Sequence, residues 1–125
     1  MSHIIIVDDQ ANVRTAVVQL LLSCNRSDLN IDQVSNGTDA LRRLQSRRYD
    51  LMITDTVMPG MSGAELMQAV RADDKLKSLP VIMMLAVCAG KKDVLEAVAL
   101  GISGFIIKPF RPDQLQIQIK KVLGW

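Results

Sequence analysis

Ile4-Ile5-Ile6-Val7-Asp8-Asp9 runs from four β-branched residues directly into two carboxylates. So short a run, with no polar alternation, fits a strand buried on both faces of a parallel sheet. Most of four further short runs behave similarly, and the pattern predicts strands at residues 3–7, 31–34, 51–54, 81–85 and 104–107. The segments between them have helical spacing. Val13, Val17, Leu20 and Leu21 share one helix face, as do Leu66, Met67 and Val70. Ala40, Leu41 and Leu44 form another stripe, with Arg42, Arg43, Arg47 and Arg48 on the solvated side. Val94, Leu95, Val98 and Ala99 predict a fourth helix, and Leu115, Ile119, Val122 and Leu123 a fifth that Pro112-Asp113 opens. Strand alternating with helix five times means an α/β fold with right-handed crossovers.

The chain has 125 residues, 49% hydrophobic and 22% charged, which fits one domain over residues 1–125 and excludes a disordered chain. Its 15 basic and 13 acidic residues leave a net charge of +2, too small a field to argue for nucleic acid or a membrane surface. Cys24 and Cys88 lack metal-ligand spacing and read as free thiols in a reducing compartment. Residues 4–7 are too short for a signal-peptide core and lack a basic leader, and no stretch approaches a membrane span. A cytoplasmic protein is expected.

In an open parallel sheet, functional groups gather at the carboxyl ends of the strands. Asp8 and Asp9 follow the first strand, Asp55 the third and Lys108 the fifth. Each has an ordinary reading alone: the Asp8-Asp9 pair as a helix cap, Asp55 as a turn residue before Met58-Pro59-Gly60, Lys108 as a surface lysine. Together they place three carboxylates and a lysine at one edge. Clustered carboxylates repel one another, and a hard divalent cation such as Mg²⁺ removes that conflict through oxygen ligands. A carboxylate beside such an ion is a nucleophile toward phosphorus, and a lysine opposite neutralises the transferring group.

Ile6-Val7-Asp8-Asp9, Asp55 with Met58-Pro59-Gly60, and Lys108-Pro109-Phe110 resemble the receiver domain of two-component response regulators. The layout is that of single-domain chemotaxis regulators, and Asp39-Ala40-Leu41 and Gly101-x-Ser103-Gly104-Phe105 fit it too. The resemblance runs from Ile4 to Leu123. It implies a doubly wound, flavodoxin-like (βα)₅ sheet in strand order 2-1-3-4-5. It also implies a phosphoprotein of a phosphorelay with Asp55 as phosphoacceptor, Asp8, Asp9 and Asp55 holding Mg²⁺, and the Val57 backbone carbonyl as a further ligand. Lys108 would contact the phosphoryl group, across a cis Lys108–Pro109 bond. A histidine kinase or phosphotransfer protein would be the donor. The output protein would dock on the face of the fourth helix, fifth strand and fifth helix. No membrane partner is implied, and nucleic acid only for a fragment of a longer regulator.

The sequence departs from the family pattern at the fourth strand. Where the family has Thr or Ser, whose hydroxyl binds the phosphoryl group and moves on activation, this chain has Leu85, which donates no hydrogen bond. The aromatic switch position on the fifth strand is Phe105, and Ser62 stands where an acidic residue is usual. Val57 and Val87 occupy two places whose side chains help orient the hydrolytic water in this family. Two functions compete: a phosphorylatable signalling domain, and a receiver-like interaction module in which phosphorylation switches little because of Leu85. An aspartyl-phosphate phosphatase is disfavoured, since no second catalytic domain or lid is evident, and the chain is not expected to be an enzyme.

Overall fold

The structure is a computed structural model that describes residues 2–24, 28–86 and 89–125. Strands and helices alternate: β1 (Ser2–Val7), α1 (Ala11–Leu22), β2 (Leu29–Val34), α2 (Gly37–Ser46), β3 (Leu51–Asp55), α3 (Gly63–Ala72), β4 (Val81–Leu85), α4 (Lys91–Ala99), β5 (Gly104–Ile107) and α5 (Pro112–Leu123). The strands form one parallel sheet in order β2-β1-β3-β4-β5, as the resemblance implies. Among the described residues no helix is long and apolar enough to cross a membrane.

The three central strands are buried on both faces, which is why they read as unbroken apolar runs. Ile4 and Ile6 pack with Val17, Leu21, Leu115 and Ile119 on the side of α1 and α5. Ile5 and Val7 pack with Leu44, Leu66, Met67 and Val70 on the other. Each such side chain contributes roughly 1.5–3 kcal/mol when fully buried. Met67, Met83 and Met84 are core residues of the same layers. The edge strand β2 begins two residues before its predicted start, because the exposed Asn30 interrupts the apolar pattern while its backbone still pairs with His3.

Local chemistry sets the helix ends near the site. Ser62, marked by the resemblance as a departure, caps α3: its hydroxyl accepts from Glu65 N–H at 3.1 Å and the Glu65 carboxylate accepts from Ser62 N–H at 3.2 Å. Gly63 lets α3 start against β3; a Cβ there would stand 2.8 Å from Thr56 Cα, and its N–H donates to Thr56 C=O at 2.9 Å.

Away from that edge, Asp32 on β2 fastens the segment that follows α2 to the sheet. One carboxylate oxygen accepts from Tyr49 OH, lies 2.9 Å from His3 Nε2 and 3.5 Å from Arg47 Nη1. His3 and Tyr49 rings also pack, with centroids 4.5 Å apart. Burial acts to raise the Asp32 carboxyl, but the bonds from Tyr49 and His3 and the nearby positive charge outweigh it and hold it below the usual value. Burial and the same bond push the Tyr49 phenol up to about 12. Asp32→Asn should therefore destabilise the protein by about 1–2 kcal/mol at neutral pH. A lowered native value means this contribution is present above the ordinary value of 3.8 and lost below it. Urea denaturation of both proteins across pH should show the difference shrinking in acid.

Candidate acidic site

The β1–β3 register pairs Val7 with Thr54, so the next residues, Asp8 and Asp55, leave the sheet side by side. Asp9 follows on the β1–α1 loop. Asp8 and Asp55 are buried and Asp9 is exposed, and one carboxylate oxygen from each lies within 4.8 Å of the others. Lys108, just past the end of β5 and so reaching across β4, sits between the two buried acids: its Nζ is 2.8 Å from Asp8 Oδ2 and 3.3 Å from Asp55 Oδ2. The four side chains expected at one edge are thus together.

The backbone completes their positioning. Asp8 Oδ1 accepts from Gln10 N–H at 2.9 Å, and Asp8 C=O accepts from Arg14 Nη1 at 2.7 Å. Asp55 Oδ1 accepts from Thr56 N–H at 2.8 Å. Lys108 N–H donates to Leu85 C=O at 2.8 Å, and the Lys108–Pro109 bond is cis. A cavity of about 520 Å³ opens over the cluster, lined by Asp55, Val57, Lys108, Pro109 and Phe110 on one side and Asn12, Val13 and Ala16 of α1 on the other.

Burial and the Asp8 charge push the Asp55 carboxyl up, against the opposing pull of Lys108 and the Thr56 N–H. Burial works to lower the Lys108 ammonium, but its bond to Asp8 and the charges of Asp55 and Asp8 prevail and raise it. One lysine therefore answers two buried carboxylates, and the exposed Asp9 adds a third. Among the described residues the donor set is all oxygen, with no imidazole or thiolate in the cluster. It fits a hard divalent cation.

Leu85 is buried at the end of β4 in the same layer as the partly buried Phe105. The Val57 side chain is exposed. Val87 lies outside the described residues. Two contributors carry no sequence signal as site residues: Arg14, which resembles any polar position of an amphipathic helix, and Thr56, which resembles a loop residue.

The family model described as response regulator receiver domain matches residues 4–120. The chain belongs to that family. It is 40% identical to the chemotaxis protein CheY of Pseudomonas aeruginosa over 119 residues, 95% of this chain and 94% of that protein. It is 37% identical to chemotaxis protein CheY-3 of Vibrio cholerae, over 95% of this chain and 89% of that one. Among solved structures, the chemotaxis response regulator CheY4 of Vibrio cholerae superposes with a TM-score of 0.87 at 30% identity, covering 98% of this receiver and 99% of that chain. The receiver domain of a signal transduction histidine kinase from Syntrophus aciditrophicus gives 0.87 at 28% identity, over 99% and 91%. This receiver therefore carries the acidic pocket at which its family binds Mg²⁺, and it is a two-component signalling module of the chemotaxis-regulator type.

A raised native value for Asp55 means the fold favours its protonated form. That contribution is present below the ordinary value of 3.8 and lost as pH rises through the native one. Asp55→Asn should therefore stabilise the metal-free receiver at neutral pH by about 1 kcal/mol, a few degrees in Tm. The gain should vanish in acid, which thermal unfolding in a chelating buffer at several pH values would show.

Proposed function

We propose that this receiver takes a phosphoryl group from the phosphohistidine of a histidine kinase or phosphotransfer protein onto Asp55, and then alters its binding to an output protein. The observation that carries this reading is the Lys108 ammonium held between Asp8 and Asp55 at the open edge of the sheet. An Asp55 carboxylate oxygen forms the new P–O bond as the P–N bond of the donor breaks, and the leaving imidazole nitrogen keeps the electron pair. Asp8, Asp9 and Asp55, with the Val57 carbonyl, would hold Mg²⁺. When bound, that ion supplies positive charge against the phosphoryl oxygens. Lys108 pairs with the same oxygens as they acquire charge, exchanging its present contact with Asp55 for one with the product. The cavity against α1 is open on the acceptor's side and supports an approach by the donor there.

For the output, Leu95 and Val98 on α4, Ile107 on β5 and Ile117 on α5 are all exposed, an apolar set that supports docking of a partner protein. A second reading, an interaction module with little switching, is favoured by Leu85. It is buried where a hydroxyl would meet the phosphoryl group and offers no donor. One hydrogen bond to a charged group is worth about 1.5–3 kcal/mol, or roughly a 10- to 100-fold population shift.

Intact mass after incubation with a small acyl phosphate and Mg²⁺ should show one added phosphoryl group, absent in Asp55→Asn; an unmodified native chain would sink the acceptor role. The adduct should decay slowly compared with regulators carrying polar residues at positions 57 and 87, since two valines align no water. Backbone amide shifts should move near the acidic cluster but little on the exposed face of α4, β5 and α5. Leu85→Thr should enlarge the response there; a full-sized response in the native chain would assign the relay elsewhere.

A further inference from the structure

Leu85 leaves the end of β4 without a hydroxyl, and the adjacent strand end supplies one. The β3–β4 register pairs Asp55 with Met84, so Thr56 follows beside Leu85. Both line one cavity of about 280 Å³ with Met83, Ala86, Ala89 and Ala97. Thr56 is bonded in both directions. Its N–H donates to Asp55 Oδ1 at 2.8 Å, and its hydroxyl donates to Met84 C=O at 3.3 Å. The first is of ordinary length. The second is long for an O–H···O bond, whose usual separation is about 2.7–2.8 Å, so it is made weakly and given up easily. The small alanine side chains around the cavity leave the hydroxyl room to turn.

We propose that Thr56 is the positioning residue that carries a change at Asp55 to the end of β4, in the place of the missing hydroxyl at position 85. The proposal rests on Asp55 being the phosphoryl acceptor. Forming the acyl phosphate on an Asp55 oxygen withdraws charge from the carboxylate and sets phosphoryl oxygens beside the Thr56 N–H, the better acceptors of the two. The peptide follows its new partner, and the hydroxyl leaves Met84 C=O. The released carbonyl belongs to the residue before Leu85, whose own C=O accepts the Lys108 N–H at 2.8 Å. One weak bond thus ties the acceptor to the strand end that also anchors the lysine. A hydrogen bond present in one state and absent in the other is the differential contact a switch requires. The reach is local: it ends at the β4–α4 junction and does not replace the coupling to Phe105 that Leu85 forfeits.

The test uses the full chain, with beryllofluoride and Mg²⁺ as the phosphoryl mimic. Thr56→Val keeps the shape and removes the donor, and Thr56→Ser keeps the donor. The readouts are the Met84 carbonyl-carbon shift and the amide shifts of Leu85, Ala86, Ala89 and Gly90. In the native chain these should move on saturation. In Thr56→Val the change should fall by about half or more while Asp55 and Lys108 still respond, and Thr56→Ser should restore it. A purely structural Thr56 would alter the starting shifts and denaturation midpoint but leave the mimic-induced change intact, which overturns the proposal. A native chain that responds at Asp55 and Lys108 but not at Met84 overturns it as well. Silence at Asp55 and Lys108 in every variant would instead remove the acceptor reading, and this relay with it.

Discussion

The parallel pairing of β1 with β3 is the constraint on which the site depends. Burial on both faces fixes the register, because a one-residue slip would turn Ile4 and Ile6 onto the wrong layer. With Val7 held against Thr54, Asp8 and Asp55 have no choice but to emerge together. The packing that stabilises the sheet thus imposes an unfavourable pair of buried carboxylates at its edge. Lys108 offsets part of that cost, and Arg14 and the Gln10 N–H steady the Asp8 backbone and side chain. The repulsion left over is what gives the site its appetite for positive charge.

That division explains which features were legible in the sequence. Asp8, Asp9, Asp55 and Lys108 could be read because they follow the ends of predicted strands, and strand ends on one edge of a parallel sheet are brought together by topology alone. The strand order came through resemblance to a known family, since periodicity does not rank strands. Other features depend on contacts between distant positions. The Asp32 cluster joins residues 29 and 17 positions apart, and nothing local to Asp32, His3 or Tyr49 announces it. The early start of β2 was hidden by the polar Asn30 of a solvated edge. Ser62, read as a loss against the family pattern, has a structural task as the cap of α3. Thr56 gives no sign in the sequence that its hydroxyl reaches the neighbouring strand.

On the proposed function, Leu85 would separate the chemistry of the site from its output. The acceptor, the lysine and the cation ligands do not need a hydroxyl at position 85 to assemble. On the proposed function, the family's coupling to Phe105 would need one, because only a contact that differs between two states shifts their balance. Leu85 and Phe105 share one buried layer, and movement of the ring would have to displace a well-packed side chain. On that reading, the exposed apolar residues on α4, β5 and α5 would form a docking face whose strength phosphorylation tunes only modestly.

The central claim is that surplus negative charge at the edge of the sheet is relieved by a divalent cation held by Asp9 together with Asp8 and Asp55. Titrating Mg²⁺ into the native chain and into Asp9→Ala, while following the thermal unfolding midpoint, tests it most directly. The account predicts a saturable rise in the native midpoint and a response in Asp9→Ala that is lost or displaced to at least about tenfold higher Mg²⁺. Equal midpoint shifts at equal Mg²⁺ in the two proteins would contradict it.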